Sequence, residues 1–175
     1  MPTLYLGLGS NIPPRFQWIG ISLDRLLKEG LVQAPEFSRA YISSPWGMAM
    51  GDPYINLVLK AETPLEPESL IKGLKDLEHR VGRRGHKQGA PREIDLDILF
   101  YGDALIETPY LRIPHPKIPE RRFVLAPLAD LSPGMIHPEL GRSVLSLLSS
   151  CPDSGLVLPV FCPISSRLTE SMGDG

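Results

Sequence analysis

The sequence predicts an α+β protein: a mainly antiparallel sheet with helices packed on it. Three observations lead there. Short stretches rich in Leu, Ile, Val and Tyr alternate or run continuously at strand length, as at residues 3–8, 54–62 and 94–101. Two longer stretches repeat apolar residues at helical spacing, and each is closed by a glycine, Gly30 and Gly82. Their order is strand, helix, strand, strand, helix, strand, which is the ferredoxin-like arrangement. That order puts both long helices on one face of the sheet and leaves the other free for a ligand or for added elements. With 175 residues, 42% hydrophobic and 22% charged, the chain has enough material for one domain with a real core.

The elements follow in turn. Residues 3–8 form the first strand, ending at Gly9, and "SNIPPR" turns the chain into a helix over 14–29 with Phe16, Ile19, Leu23, Leu26 and Leu27 on its apolar stripe. A second strand covers 37–43. The loop "SSPWGMAMGDP" precedes a third strand over 54–62. Pro67 opens the second helix, where its missing N–H is harmless, and Glu68 suits the positive helix end. Leu70, Ile71, Leu74, Leu77 and Val81 make its stripe. A basic loop, "RRGHKQGAP", leads into the fourth main strand. Beyond it we expect a short edge strand within 105–113 interrupted by Pro109, and short helices at 119–128 and 142–148. The expected organisation is one domain over 1–150, followed by a Ser-, Pro- and Gly-rich tail over 151–175, mobile or packed loosely through 156–161.

The fourth main strand carries the most chemistry. In "PREIDLDILFYG", Asp95 and Asp97 interrupt an otherwise apolar run. Side chains alternate faces along a strand, so the two carboxylates share one face while Ile94, Leu96 and Ile98 face the core. Two carboxylates side by side repel unless a cation lies between them, and hard oxygen ligands suit Mg²⁺ held together with substrate phosphates. The plainer reading is a solvent-facing edge on which acids discourage pairing with another chain.

The rest of the composition narrows the field. A net charge of −2 gives no global attraction for nucleic acid or anionic membrane, so any polyanion site must be local. No apolar run approaches a spanning helix, and "MPTLYLGLGSN" lacks the pattern of a secretory signal, so the cytoplasm is the expected compartment. Cys151 and Cys162 have no CxxC spacing and read as free thiols. There is no Walker A motif.

Several constellations surround the aspartates. Arg80, Arg83, Arg84, Lys87 and Arg92, with His79 and His86, form a local cationic stretch whose only nearby acids are Glu78 and Glu93. It is either a solvated basic turn, a weak RNA contact, or the partner of a polyphosphate. A basic loop running directly into a two-Asp strand favours the last, because cations and metal ligands together are what a nucleotide polyphosphate needs. "GLGSN" at 7–11 matches no phosphate-cradling fingerprint and reads as a strand-end turn. Trp46, Tyr54 and Asn56 fit a loop closing on a flat heterocycle, with Asn56 reading its amide-like edge, or else are core anchors. In "IPHPKIPERRFVLAPL", His115 is held between prolines, and Phe123 either stacks on a ring or starts the apolar face of a helix.

Taken together, "GLGSN", "SSPWG…DPYIN", "PREIDLDIL" and "IPHPKIPERRFVLAPL" resemble the hydroxymethyl-dihydropterin pyrophosphokinase family, in the family's order, over residues 6–148. The resemblance implies a monomeric enzyme of folate biosynthesis. It would move a pyrophosphoryl group from ATP to the primary hydroxyl of the pterin and release AMP. It implies two Mg²⁺ ions on Asp95 and Asp97, and a pterin site made by Ser43, Pro45, Trp46, Tyr54, Asn56 and Phe123. ATP contacts fall to Glu78, Arg92, Ile98, His115 and Arg121, and Arg83 and Arg92 become the mobile arginines that stabilise charge during transfer. The sequence departs from the family at "QGAPR", where Gly89 and Ala90 replace an aromatic and a glycine. It departs again at Gly85, where an arginine is common, at Lys75, often Gln, and at Trp46, usually aliphatic. The alternatives are an RNA-binding module, which the chain's lack of an aromatic RNP pattern opposes, and a catalytically weak relative that binds pterin.

Overall fold

The computed structural model describes residues 1–45, 51–82 and 91–164. The sheet contains β1 (Thr3–Ser10), β2 (Gln33–Phe37), β3 (Ala40–Ser43), β4 (Tyr54–Glu62), β5 (Asp95–Tyr101) and β8 (Val157–Val160), every pairing antiparallel. Its strand order is β5-β1-β4-β3-β8, with β2 also against β4. β6 (Ile106–Glu107) and β7 (Arg112–Ile113) form a separate two-stranded ribbon where a single edge strand was expected. The predicted class, α+β with a mainly antiparallel sheet, is the one observed.

Alternation along the strands builds two cores. Leu4, Leu6 and Leu8 of β1, Ile55, Leu57 and Leu59 of β4, and Leu96 and Ile98 of β5 face α1 (Arg15–Lys28) and α2 (Pro67–Val81). These helices contribute Ile19, Leu23, Leu26, Leu70, Leu74 and Leu77, all nearly or fully buried. Each such side chain removed from water stabilises the fold by about 1.5–3 kcal/mol. The opposite face is only partly covered. Tyr5, Val58, Leu99 and Phe100 pack there against α3 (Arg122–Leu131) and α4 (Val144–Ser149). Tyr5 Oη and Ser132 Oγ are 2.7 Å apart, and Asp130 on α3 accepts from Tyr41 Oη (2.9 Å) and Arg39 Nη2 (2.6 Å). These bonds fix α3, and with it Phe123, over one end of the sheet.

Three differences from expectation have local causes. The second strand is broken into β2 and β3 at Ser38 and Arg39, because Ser38 Oγ accepts the Val58 N–H (2.8 Å) while its own N–H donates to the Val58 carbonyl (3.0 Å). The helix expected at 119 starts at Arg122, since Ile118–Glu120 form a 3-10 turn. Residues 157–160, expected to pack loosely, form β8 against β3. Among the described residues no helix is long and apolar enough to cross a membrane.

Candidate active site

Asp95 and Asp97 lie at the sheet's β5 edge on the face away from α1 and α2, as period two requires; both are partly exposed, while Leu96 and Ile98 are buried beneath. Directly across on β1, Gly9 pairs with Asp95 and Gly7 with Asp97. On β4, Asn56 pairs with Gly9, and Tyr41 of β3 pairs with Asn56. One row of the sheet therefore runs from a carboxylate, over a glycine, to an amide. The two glycines let neighbouring side chains close over the strand: Leu99 lies over Gly7, and Asn56 and Tyr54 pack against Gly9, which is buried. A methyl on Gly9 would sit 3.1 Å from Asn56 Oδ1 and 3.7 Å from Tyr54 Cδ1. Gly7, Gly9 and Ser10 of "GLGSN" thus belong to β1 and pair with the carboxylate strand, where a strand-end turn was expected.

The same motif supplies a second contact that sequence reasoning missed. Asn11 Oδ1 accepts the Arg92 N–H (2.7 Å), and the Asn11 N–H donates to the Arg92 carbonyl (3.1 Å). Held this way, Arg92 donates from Nη1 to Asp95 Oδ1 at 2.9 Å. No sequence signal could have joined residues so far apart in the chain.

A β-bulge next to the carboxylates shapes the upper wall. Tyr5 pairs with Phe100 and Leu6 with Ile98, so Leu99 is the extra residue. Its carbonyl accepts the His115 N–H at 3.0 Å. His115 Nδ1 in turn accepts the Lys117 N–H at 3.1 Å, which leaves the ring proton on Nε2. Burial, with the Arg121 charge adding to it, pulls the His115 imidazole down to about 4. Arg121 also lies 5.7 Å from the Phe123 ring centroid, measured from its guanidinium carbon.

Asp97 is harder to ionise than an ordinary carboxyl. Burial first, then the neighbouring Asp95 carboxylate, pushes it up to about 6, against the pull of Lys75 and Arg121. Glu78 adds to the rise from below. Its carboxylate is wholly buried and accepts the edge N–H of Leu96 (2.7 Å) and Lys75 Nζ (3.0 Å). Ile98 turns its side chain into the core. The strand period places its main chain on the same outer edge as that of Leu96.

At the far end of the row, Asn56 Nδ2 donates to Ser43 Oγ at 2.7 Å, and both are buried. Tyr54 is partly buried; burial pushes its phenol up, while Arg92 pulls it down and Asp95 raises it again. Ser43, Pro45 and Phe123 line a cavity of about 220 Å³. Asp95, Asp97, Arg92, His115, Arg121, Tyr54, Asn56, Ser43 and Phe123 thus lie on or above one face of the sheet, whereas Glu78 and Ile98 approach it from beneath. Trp46 and Arg83 lie outside the described residues, as does most of the basic loop.

The donor chemistry fits a hard divalent cation. Two carboxylates share one face, ionisation of Asp97 is discouraged by Asp95, and the Arg92 guanidinium already occupies one carboxylate oxygen as a stand-in positive charge. Among the described residues no group of three or more His, Cys, Asp and Glu forms a metal cluster, so remaining ligands would come from water and phosphate.

A carboxylate pair on the same sheet face as a buried amide and a tyrosine, with an arginine on one carboxylate, is an arrangement suited to phosphoryl or pyrophosphoryl transfer. The model of the 7,8-dihydro-6-hydroxymethylpterin-pyrophosphokinase (HPPK) family matches residues 5–133, and the chain belongs to that family. It is 41% identical to the 2-amino-4-hydroxy-6-hydroxymethyldihydropteridine pyrophosphokinase of Aquifex aeolicus over 79% of this chain and 85% of that protein. It is 39% identical to the folic acid synthesis protein FOL1 of Dictyostelium discoideum over 95% of this chain but 25% of that protein, so it spans about a quarter of the latter. A solved structure of Plasmodium falciparum HPPK-DHPS superposes with a TM-score of 0.68 at 15% identity, covering 85% of this chain and 41% of that one; it supports the fold. The chain is an enzyme, a pyrophosphokinase.

Proposed function

We propose that the chain transfers the terminal pyrophosphoryl group of ATP to the hydroxymethyl oxygen of 6-hydroxymethyl-7,8-dihydropterin, giving the pterin diphosphate and AMP, as a cytoplasmic monomer. The observation that carries this reading is the single row Asp95–Gly9–Asn56, which sets a carboxylate suited to a cation and an amide suited to a heterocycle edge on one face, one glycine apart. The pterin hydroxyl attacks the β-phosphorus in line, the bond to the α-phosphate oxygen breaks, and the hydroxyl proton is lost to solvent. Asp95 and Asp97 would hold Mg²⁺. When bound, the metal neutralises phosphate oxygens and reduces charge on the departing AMP.

The chain's own residues then do the positioning. Asn56, fixed by Ser43, reads the polar edge of the ring, with Pro45 and Trp46 beside it, and Tyr54 and Phe123 flank its faces. Arg92 and Arg83 meet charge developing on the transferred group. Arg121 and His115 take phosphate or ribose oxygens, and Glu78 and Ile98 set the nucleotide edge of β5. His115, neutral and protonated on Nε2, is a hydrogen-bond donor and no base at neutral pH. Transfer therefore depends on orientation and electrostatics.

The test is to incubate the protein with ATP, Mg²⁺ and hydroxymethyl-dihydropterin and to identify the nucleotide product. AMP with pterin diphosphate supports the reading. ADP would mean ordinary phosphoryl transfer, and unchanged ATP beside bound pterin would mean a binding protein.

A further inference from the structure

The cavity at the pterin end has two walls. One is made by Ser43, Ser44, Pro45 and Phe123, and the other by residues 153–157, which follow α4 and lie outside every motif described above. This segment is tied to both sides of the cavity. Asp153 Oδ2 accepts the N–H of Arg122 (3.1 Å), the first residue of α3, whose N–H has no partner within the helix. Arg122 Nε returns a bond to the Asp153 carbonyl at 3.0 Å. Asp153 Oδ1 accepts the Gly155 N–H (2.9 Å), which folds the segment back on itself. On the other side, the Ser44 N–H donates to the Leu156 carbonyl (3.2 Å), and Val157 pairs with Ser43 as β8 begins.

We propose that residues 153–157 are a fixed wall of the pterin site and that Asp153 is its positioning residue. The proposal rests on the pterin reading of this cavity. Asp153 holds the segment to the start of α3, next to Phe123, while Leu156 holds it to Ser44. The gap between the ring-stacking side chain and the 43–45 loop is therefore set by a short strap anchored at both ends. Gly155 faces into that gap: a methyl there would lie 3.0 Å from Asp153 Oδ1 and 3.2 Å from Ser44 Oγ. The strap discriminates by width, admitting a flat bicyclic ring and narrowing against bulkier substituents on the Ser44 side.

The experiment uses the full chain with Mg²⁺ and a non-hydrolysable ATP analogue, titrated with hydroxymethylpterin, beside steady-state kinetics and thermal unfolding. Asp153→Ala, which removes the carboxylate that anchors the strap to Arg122, and Gly155→Ala, whose methyl crowds Ser44, should each weaken pterin binding and raise the pterin KM by about tenfold. The ATP KM and kcat should stay within about twofold, since the strap touches neither nucleotide nor metal. Phe123→Ala and Asn56→Ala serve as controls. If these weaken pterin binding while both strap variants bind as wild type, the strap proposal is overturned and the pterin pocket stands. If the controls also bind as wild type, the pterin reading itself fails. A parallel rise in both KM values with a lowered melting temperature would make the segment a mere brace and overturn its role in the site. If Asp153→Ala does not fold, Gly155→Ala, which keeps every anchoring bond donor and acceptor, decides alone.

Discussion

Replacing Asp97 by asparagine should make the protein more stable and less active. The carboxyl of Asp97 is displaced from 3.8 to about 6 by burial and by Asp95. A carboxyl that is harder to ionise in the folded state binds its proton more tightly there, so its contribution to stability is full below about pH 4 and is lost as pH rises towards 6. At about 1.4 kcal/mol per pH unit, holding it ionised at neutral pH costs on the order of 3 kcal/mol. Asparagine keeps the shape without the charge. At neutral pH Asp97→Asn should therefore unfold about 1–3 kcal/mol later, a rise of roughly 3–10 °C in melting temperature. The difference should vanish near pH 4, where the native carboxyl is already neutral. Urea or thermal unfolding of both proteins across pH 4 to 8 measures it, and Mg²⁺ added at neutral pH should stabilise the wild type and leave the variant unmoved. A variant less stable than wild type at neutral pH, or a gap independent of pH, would refute the reasoning, because the pair would then already be satisfied without a cation.

Four further outcomes follow from the same geometry. Asp95→Asn should cut turnover by about 10²-fold or more with the fold intact, checked by steady-state kinetics and circular dichroism. Gly9→Ala, whose methyl meets Asn56 Oδ1 at 3.1 Å, should displace the amide, raise the pterin KM and cost about 1–3 kcal/mol in stability; a calorimetric pterin titration and thermal unfolding report it. Arg92→Ala should slow transfer more than it weakens pterin binding, and equal losses would reduce the residue to a binding role. His115, held neutral down to about pH 4, should leave the pH–rate profile without an imidazole limb near neutrality; a single pKa there that His115→Ala abolishes would contradict this.

Much of the architecture was legible because it depends on local pattern. Residues 54–62 were read as a strand to the residue, since their apolar content and flanking turn are continuous in sequence. Pro67 and Gly82 bracketed α2 correctly because both act through their own backbone. The placement of Asp95 and Asp97 on one face needed only the period of a strand. What escaped reading depends on distant partners. Ser38 breaks its strand through a bond to Val58, Asn11 clamps Arg92, and Asp153 reaches the start of α3. β8 escaped for a different reason: Pro159 interrupts its pattern, and only an edge strand tolerates a proline there. The glycines of "GLGSN" were visible, but that they bring Asn56 and Leu99 close to the carboxylate strand requires knowing that β5 and β4 flank β1.

The account turns on the carboxylate pair gathering a divalent cation with the nucleotide's phosphates, and one titration reaches it directly. A non-hydrolysable ATP analogue is titrated into wild type and into Asp95→Asn/Asp97→Asn, each with and without Mg²⁺. Magnesium should tighten binding to the wild type by about tenfold or more and leave the double variant unaffected. Equal tightening in both proteins would place the cation elsewhere and contradict the account.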